Sequence, residues 1–170
     1  MKFLLTAALS LSVCSPALVG AAEGQSTNLF NAGASCLPAL PRYDGNVRKR
    51  PLAVVNEGTT SSFLTCNYTV DEYASDAHGG VERFDLTAKN QGNSASTVTC
   101  TAVIGVDDGQ ARYIIKSATL QPGERKKMEW KATDYSLPNG WEGPVNMSCL
   151  LPPNMGLNEG HVHWDYEDQT

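Results

Sequence analysis

Apolar and polar side chains alternate with a period of two along most of the chain beyond residue 46, the pattern of strands buried on one side. In VERFDLTAKN, Phe84, Leu86 and Ala88 share a face opposite Arg83, Asp85, Thr87 and Lys89. STVTCTAVIG turns Val98, Cys100, Ala102 and Ile104 one way and Thr97, Thr99 and Thr101 the other. SSFLTCNYTV, KKMEWKA and VNMSCLL repeat the logic, with Leu64, Cys66 and Tyr68, then Met128 and Trp130, then Val145, Met147 and Cys149 on the apolar sides. The final segment, GHVHWDYEDQT, sets Val162, Trp164 and Tyr166 against His161, His163 and Asp165.

Reversals fall between these runs. AHGG, KNQGNS, VDDGQ, LQPGE and LPNGW supply the glycine, asparagine, aspartate and proline that tight turns need. Asp108-Gly109 is the strongest hairpin cue among them. No long stretch carries the i, i+3, i+4, i+7 spacing of an amphipathic helix. The pattern predicts an all-β fold closed as a two-layer antiparallel β-sandwich.

The N-terminus departs from this pattern. MKFLLTAALSLSVCSPALVGAA has one basic residue, a short apolar run, a proline break and small residues before Glu23, the layout of a secretory signal. Residues 1–22 are therefore expected to be removed, leaving the product secreted or periplasmic. The apolar run is well short of the roughly 20 residues that span a bilayer. Val13, bulky and β-branched before Cys14, argues against a lipid anchor at that cysteine. Residues 23–45 show no sustained period and read as an irregular N-terminal arm, with the sandwich domain over residues 46–170.

Charge narrows the partners. The formal net charge of −5 becomes −6 once Lys2 leaves with the signal, and the basic clusters VRKRP and GERKKMEW lack interleaved aromatics. Nucleic-acid binding, which leans on a basic footprint, is not expected.

Four cysteines remain after cleavage: Cys36, Cys66, Cys100 and Cys149. An even count in an exported chain reads as two disulfides, and the absence of a CxxC pair removes zinc-ribbon and thioredoxin readings. Of the three connectivities, Cys36–Cys66 with Cys100–Cys149 is preferred. The last three cysteines lie on apolar strand faces, and Cys36 pins the arm to the nearby Cys66 strand. Each bridge closes a loop of about 30–50 residues, for roughly 4 kcal/mol on the loop-entropy model.

DLTAKNQGNSASTVTCTAVIG followed by SATLQPGERKKMEW resembles the middle of bacterial immunoglobulin-like and related sandwich domains, where a strand ends in Asn-x-Gly and a later L-x-P-G-E turn opens the next. With its early cysteine, NYT strand and SCLLPP segment, the whole chain is similar to small exported bacterial four-cysteine proteins of unassigned function. The resemblance implies an immunoglobulin-like sandwich and carries no catalytic residue. No tryptophan stands between Cys66 and Cys100, a departure that keeps a jelly roll equally open.

Candidate chemistry is sparse. There is no G-x-S-x-G elbow, H-E-x-x-H, phosphate loop or calcium loop, and the paired cysteines leave no thiolate. The Asp107-Asp108 pair is explained by its turn. No enzymatic activity and no cofactor are expected. On a strand, His161, His163 and Asp165 point the same way at alternate spacings of about 6.5–7 Å, so the two imidazoles and a carboxylate could hold zinc or copper. The simpler reading makes them the polar face of a strand that buries Val162, Trp164 and Tyr166. Trp141 in NGWEGP, with Tyr135 in TDYSLP, is the candidate rim of a loop-end binding patch, the alternative being that the indole folds back over the end of the core and caps one sheet. The expected function is a binding or envelope-associated module for a protein or polysaccharide partner. The alternatives are an extracytoplasmic copper or zinc binder using His-x-His, and a secreted inhibitor or effector.

Overall fold

A computed structural model of the chain describes residues 23–70, 80–105 and 111–167, with side chains from Ser26 to Trp164 within those ranges. Among the described residues twelve strands form in chain order: β1 (Glu23–Asn31), β2 (Cys36–Pro38), β3 (Val47–Arg50), β4 (Ala53–Asn56), β5 (Ser62–Tyr68), β6 (Val81–Asn90), β7 (Ser96–Ile104), β8 (Arg112–Leu120), β9 (Arg125–Lys131), β10 (Val145–Leu151), β11 (Met155–Leu157) and β12 (Glu159–Glu167). They make two antiparallel sheets. One runs β1-β12-β6-β11-β4-β3 with β9 on the far side of β6, and the other runs β2-β5-β10-β7-β8. The expected two-layer β-sandwich is the fold.

The alternating positions do what their spacing requires. Leu64, Cys66 and Tyr68 of β5, Phe84, Leu86 and Ala88 of β6, and Val98, Cys100 and Ala102 of β7 are buried between the sheets. Phe84 is the hub of an aromatic cluster. It stacks on Trp130 at 5.3 Å between centroids and meets Trp141 at 5.3 Å and Tyr68 at 5.7 Å in tilted geometry. Tilted and stacked pairs of this kind add about 0.5–1.5 kcal/mol each beyond their area burial.

Both disulfides form as expected, Cys36–Cys66 and Cys100–Cys149. Neither joins the two layers. Cys36 lies opposite Cys66 in the β2–β5 register, and Cys100 lies opposite Cys149 in the β7–β10 register. Both bridges therefore belong to the five-stranded sheet and sit on its inner side.

The segment 23–45 corrects the expectation of an irregular arm. β1 pairs with β12 from Glu23↔Glu167 to Asn31↔Glu159, a one-turn helix follows at Ala32–Ser35, and β2 then enters the other sheet. β1 is an edge strand on which Phe30 is buried while Leu29 stays 71% exposed. It therefore shows no apolar period. Its backbone bonds to β12 hold it, and they leave no trace in the side-chain pattern. The Asp108-Gly109 turn lies outside the described residues.

Two crossings between the sheets use the same device. Asn56 ends β4, accepts the Gly58 N–H on Oδ1 at 3.0 Å, and donates Nδ2 to the carbonyls of Thr60 and Leu151, both at 2.8 Å. Asn90 ends β6, accepts the Gly92 N–H at 2.9 Å, and donates to Ser94 and Leu120 at 2.8 and 3.1 Å. Each amide closes its own Asn-x-Gly arch and ties a strand end in one sheet to a carbonyl in the other. Asn90→Ala would leave buried carbonyls and an amide N–H unpaired, so it is expected to lower unfolding free energy by about 2–3 kcal/mol. Urea denaturation checks this, with the exposed Asn93→Ala as a control expected within about 0.5 kcal/mol of wild type.

Candidate functional site

The sheets differ sharply in what they present to solvent. On the seven-stranded sheet β9 turns Arg125, Lys127, Glu129 and Lys131 outward, beside Arg83 and Asp85 of β6. These charges pair across strands: Arg83 with Glu129 at 3.8 Å, Lys127 with Asp85 at 3.4 Å, and Arg125 with Glu159 at 2.6 Å. Most are solvent-exposed pairs, each contributing about 0–1 kcal/mol. Asp85 is the exception, with its side chain 3% exposed.

His161 and His163 stand on this charged side. The His161 backbone N–H donates to Asp85 Oδ1 at 3.1 Å, and its ring Nδ1 lies 3.2 Å from the same oxygen. His163 Nδ1 is 2.8 Å from the Thr27 hydroxyl. The two rings are 6.1 Å apart between centroids, 29° from parallel. Burial first, then the Arg83 guanidinium, holds the His163 imidazole below the ordinary histidine pKa, with Asp85 opposing. β12 can approach this closely because position 160 is glycine: a Cβ there would sit 2.1 Å from the Asp85 carbonyl oxygen. That carbonyl also accepts the Tyr68 hydroxyl at 2.7 Å, and burial, with the Asp85 charge second, raises the Tyr68 pKa well above its usual value. Val162 and Trp164 are buried as the alternation predicts. The Asp165 side chain lies outside the described residues. Among the described residues no three His, Cys, Asp or Glu side chains converge to hold a metal ion.

Trp141 packs into the core. It is 2% exposed and packs against Phe84 and Tyr135, with its backbone paired to Val81 at 2.9 Å in both directions. Gly140 makes this possible. It holds φ at 83°, and a Cβ there would lie 2.6 Å from the Gly80 backbone, so the loop folds down onto the start of β6. Tyr135 keeps 38% exposure at the rim. With the indole covered, the pair offers no open stacking surface.

The outer face of the five-stranded sheet is of another kind. Its registers build rows across the strands: Asn67, Asn146, Val103 and Tyr113; Leu37, Thr65, Ser148, Thr101 and Ile115; Phe63, Leu150, Thr99 and Ser117; Thr97 and Thr119. None of these side chains is charged, although Lys, Arg, Asp and Glu make up 18% of the chain. Thr97 and Thr119, and Thr99 and Ser117, share hydroxyl hydrogen bonds at 2.8 Å across β7 and β8. Tyr113 is 68% and Ile115 66% exposed on the edge strand, with Leu37 and Phe63 exposed toward the other side. Of the two cations of this edge strand, both at inward registers, Lys116 turns toward the other sheet. Its ammonium donates to the Glu129 carbonyl of β9 and lies 4.0 Å from Asp134. An inward-turned charge also blunts an exposed sheet edge against pairing with another chain.

Two recesses beside Leu29, of about 260 and 220 Å³, flank β1. Both fall below the roughly 300–1,000 Å³ of typical small-molecule sites. The uncharged face is therefore taken as the candidate surface. Its positions on β5, β7 and β10 were legible strand by strand, but those on β2 and β8, and the fact that all five strands share one sheet, were not.

No family model and no curated protein matches the chain. Among solved structures it is similar to a family 11 carbohydrate-binding module from Clostridium thermocellum in complex with a β-1,3-1,4-mixed-linked tetrasaccharide. Identity is 12%, coverage is 84% of this chain and 86% of that one, and the TM-score is 0.42. A xylan-binding domain from Paenibacillus barcinonensis gives 13% identity, 82% and 98% coverage, and a TM-score of 0.44. A disulfide-linked pilus protein of Bacillus endospore appendages gives 10% identity, 94% and 98% coverage, and a TM-score of 0.37. The sandwich assignment rests on the chain's own strand pairing.

Placing Trp141 in the core makes a direct prediction. Trp141→Ala is expected to cost about 3–5 kcal/mol of stability, whereas Tyr135→Ala at the rim costs about 1 kcal/mol. Chemical denaturation of the two variants measures both.

Proposed function

We propose that this chain is a non-catalytic module acting outside the cytoplasm, and that it binds neutral polysaccharide through the outer face of the five-stranded sheet. The observation that carries the reading is the absence of any charged side chain among the outward residues of β2, β5, β7, β8 and β10. A buried, unpaired charge is the costliest group to desolvate, so a face without charges suits a ligand that brings none. A neutral glycan is such a ligand. Its hydroxyls match the threonine, serine and asparagine side chains, and the C–H faces of its rings match Tyr113, Ile115, Leu37 and Phe63. Pairing of Thr97 with Thr119 and of Thr99 with Ser117 leaves those hydroxyls with less water to lose.

Rigidity supports the same reading. Two of the four strand junctions in this sheet carry a disulfide, so little backbone entropy remains to be lost when an extended ligand lies on it. Two disulfides also suit an oxidising compartment, in keeping with a secreted or periplasmic product. Among the described residues no helix is long and apolar enough to cross a membrane.

The test is depletion from solution by insoluble neutral polysaccharides (cellulose, xylan and mixed-linkage glucan), with polyanionic pectate as the control. Retention on at least one neutral polymer is expected, little changed between low and high salt. Tyr113→Ala should weaken it about tenfold, roughly 1.4 kcal/mol, with an unchanged melting temperature. Failure to bind any neutral polymer, or retention indifferent to Tyr113→Ala combined with Ile115→Asp, overturns the proposal.

A further inference from the structure

The open edges of the two sheets are not protected alike. A free strand edge offers a row of unpaired N–H and C=O groups to any other strand, and folded proteins blunt it by shortness, proline, lysine or inward-turned charge. β2 has three residues and ends in Pro38. β3 has four, among them the exposed cations Arg48, Lys49 and Arg50, with Pro51 directly after. β9 carries Arg125, Lys126, Lys127 and Lys131. β8 has Arg112 and Lys116 at inward registers. It is also tied to β9 by the Trp130 indole N–H on the Ile114 carbonyl and by the Lys116 ammonium on the Glu129 carbonyl. β1 has no such protection. It is nine residues long, keeps one continuous register with β12, contains no proline, and its single charged residue is Glu23 at the start. Among the described residues β12 is the only strand it pairs with, and Thr27, Asn28 and Leu29 are all exposed.

The neighbouring bonds fix which backbone groups of β1 face the open side. The Ala32 N–H continues the ladder to β12 by donating to the Asn158 carbonyl at 2.8 Å, and the His161 N–H points away from β1, to Asp85 of β6. Bonded and non-bonded pairs alternate along an antiparallel ladder. The even residues of β1 therefore bond β12, and the N–H and C=O groups of Gln25, Thr27 and Leu29 point outward from the edge.

We propose that β1 pairs antiparallel with β1 of a second copy, about a two-fold axis at Thr27, to give a homodimer with one continuous sheet. Thr27 is the midpoint of the strand, so this register overlaps all nine residues. Thr27 then meets its own copy, Gln25 meets Leu29, and Glu23 meets Asn31. No like charges stand opposite one another, and a threonine pair is a favourable cross-strand neighbour. A two-fold interface must be complementary to itself, and this strand is, which favours a second copy over an unrelated strand. A single strand pairing is a small interface, so the dimer belongs to the weak, concentration-dependent class. The axis relating antiparallel neighbours runs perpendicular to their sheet, so like faces stay on one side. Both five-stranded sheets would thus turn their uncharged faces the same way, and one polymer could engage the two with the avidity of a linked pair. Only this last consequence rests on the polysaccharide reading; the pairing stands without it.

Sedimentation equilibrium and amide hydrogen exchange of the untagged, exported protein test the proposal. A monomer–dimer equilibrium with a micromolar dissociation constant is expected. The Thr27 and Leu29 amides should gain protection as concentration rises, while those of Asn28 and Phe30 are protected throughout. Thr27→Lys, which sets like charges across the axis, and Thr27→Pro, which deletes an outward N–H, should each raise the dissociation constant at least about tenfold. Thr27→Lys should do so with a monomer melting temperature close to wild type, and Gln121→Lys on the β8–β9 turn should leave the equilibrium unchanged. A protein still monomeric at near-millimolar concentration, or a dimer indifferent to Thr27→Lys, overturns the proposal, whatever the polysaccharide assay shows.

Discussion

The five-stranded sheet is held by covalent bonds across its own strand junctions, and the rest of the molecule is arranged around that constraint. Cys36–Cys66 clamps β2 to β5 and Cys100–Cys149 clamps β7 to β10. Between them β5 and β10 pair over seven registers, which place Met147 opposite Cys66 and Cys149 opposite Leu64. The bridges thus lie on either side of one central ladder, all on the inner face. The outer face is relieved of holding the sheet together. It needs no cross-strand ion pairs, and it has none.

The two layers then have to be joined without a disulfide between them. Hydrophobic burial supplies most of that attachment, centred on Phe84 and the two tryptophans around it. Direction comes from polar groups. The Asn56 and Asn90 amides, the Tyr68 hydroxyl on the Asp85 carbonyl, and the Trp130 indole N–H on the Ile114 carbonyl at 3.2 Å each cross from one sheet to the other. Apolar packing alone would let the layers slide. A set of buried donors that must find particular carbonyls fixes one alignment, because a misaligned layer strands them in a dry core.

How far the sequence discloses this depends on which atoms carry the information. Side-chain period reports the face of a strand, so β5, β6, β7, β9 and β10 were legible, and so was the cysteine pairing, since three cysteines occupy inward positions. β1 was not, because its attachment to β12 is made by backbone groups and its side chains are largely exposed. Trp141 could be weighed as platform or plug but not decided. Gly140 revealed a turn, yet the Gly80 backbone it settles against is sixty residues away in the chain. The Asn-x-Gly pattern was visible as a strand ending. That its amide reaches a carbonyl in the opposite sheet was not, because period says nothing about which strand lies across the core. The candidate face suffered most. Thr97, Thr99 and Thr101 were outward by alternation, but an uncharged surface exists only once five strands are set side by side.

The charge distribution is the last consequence of this arrangement. A chain with 13 basic and 18 acidic residues leaves one broad sheet face neutral by concentrating ions elsewhere, on the opposite sheet and in the loops. Lys116 shows the constraint acting on a single side chain. It belongs to the edge strand of the neutral sheet, yet its position in the alternation aims it inward, where β9 and Asp134 receive its ammonium. The charged sheet holds its ions in water. The neutral sheet can therefore stay apolar and hydroxylated over a wide area, and a surface approached by this protein meets two unlike sides. Among the described residues a charged partner finds its complement on the opposite sheet and in the loops, and an uncharged surface loses the least hydration by lying against the neutral sheet.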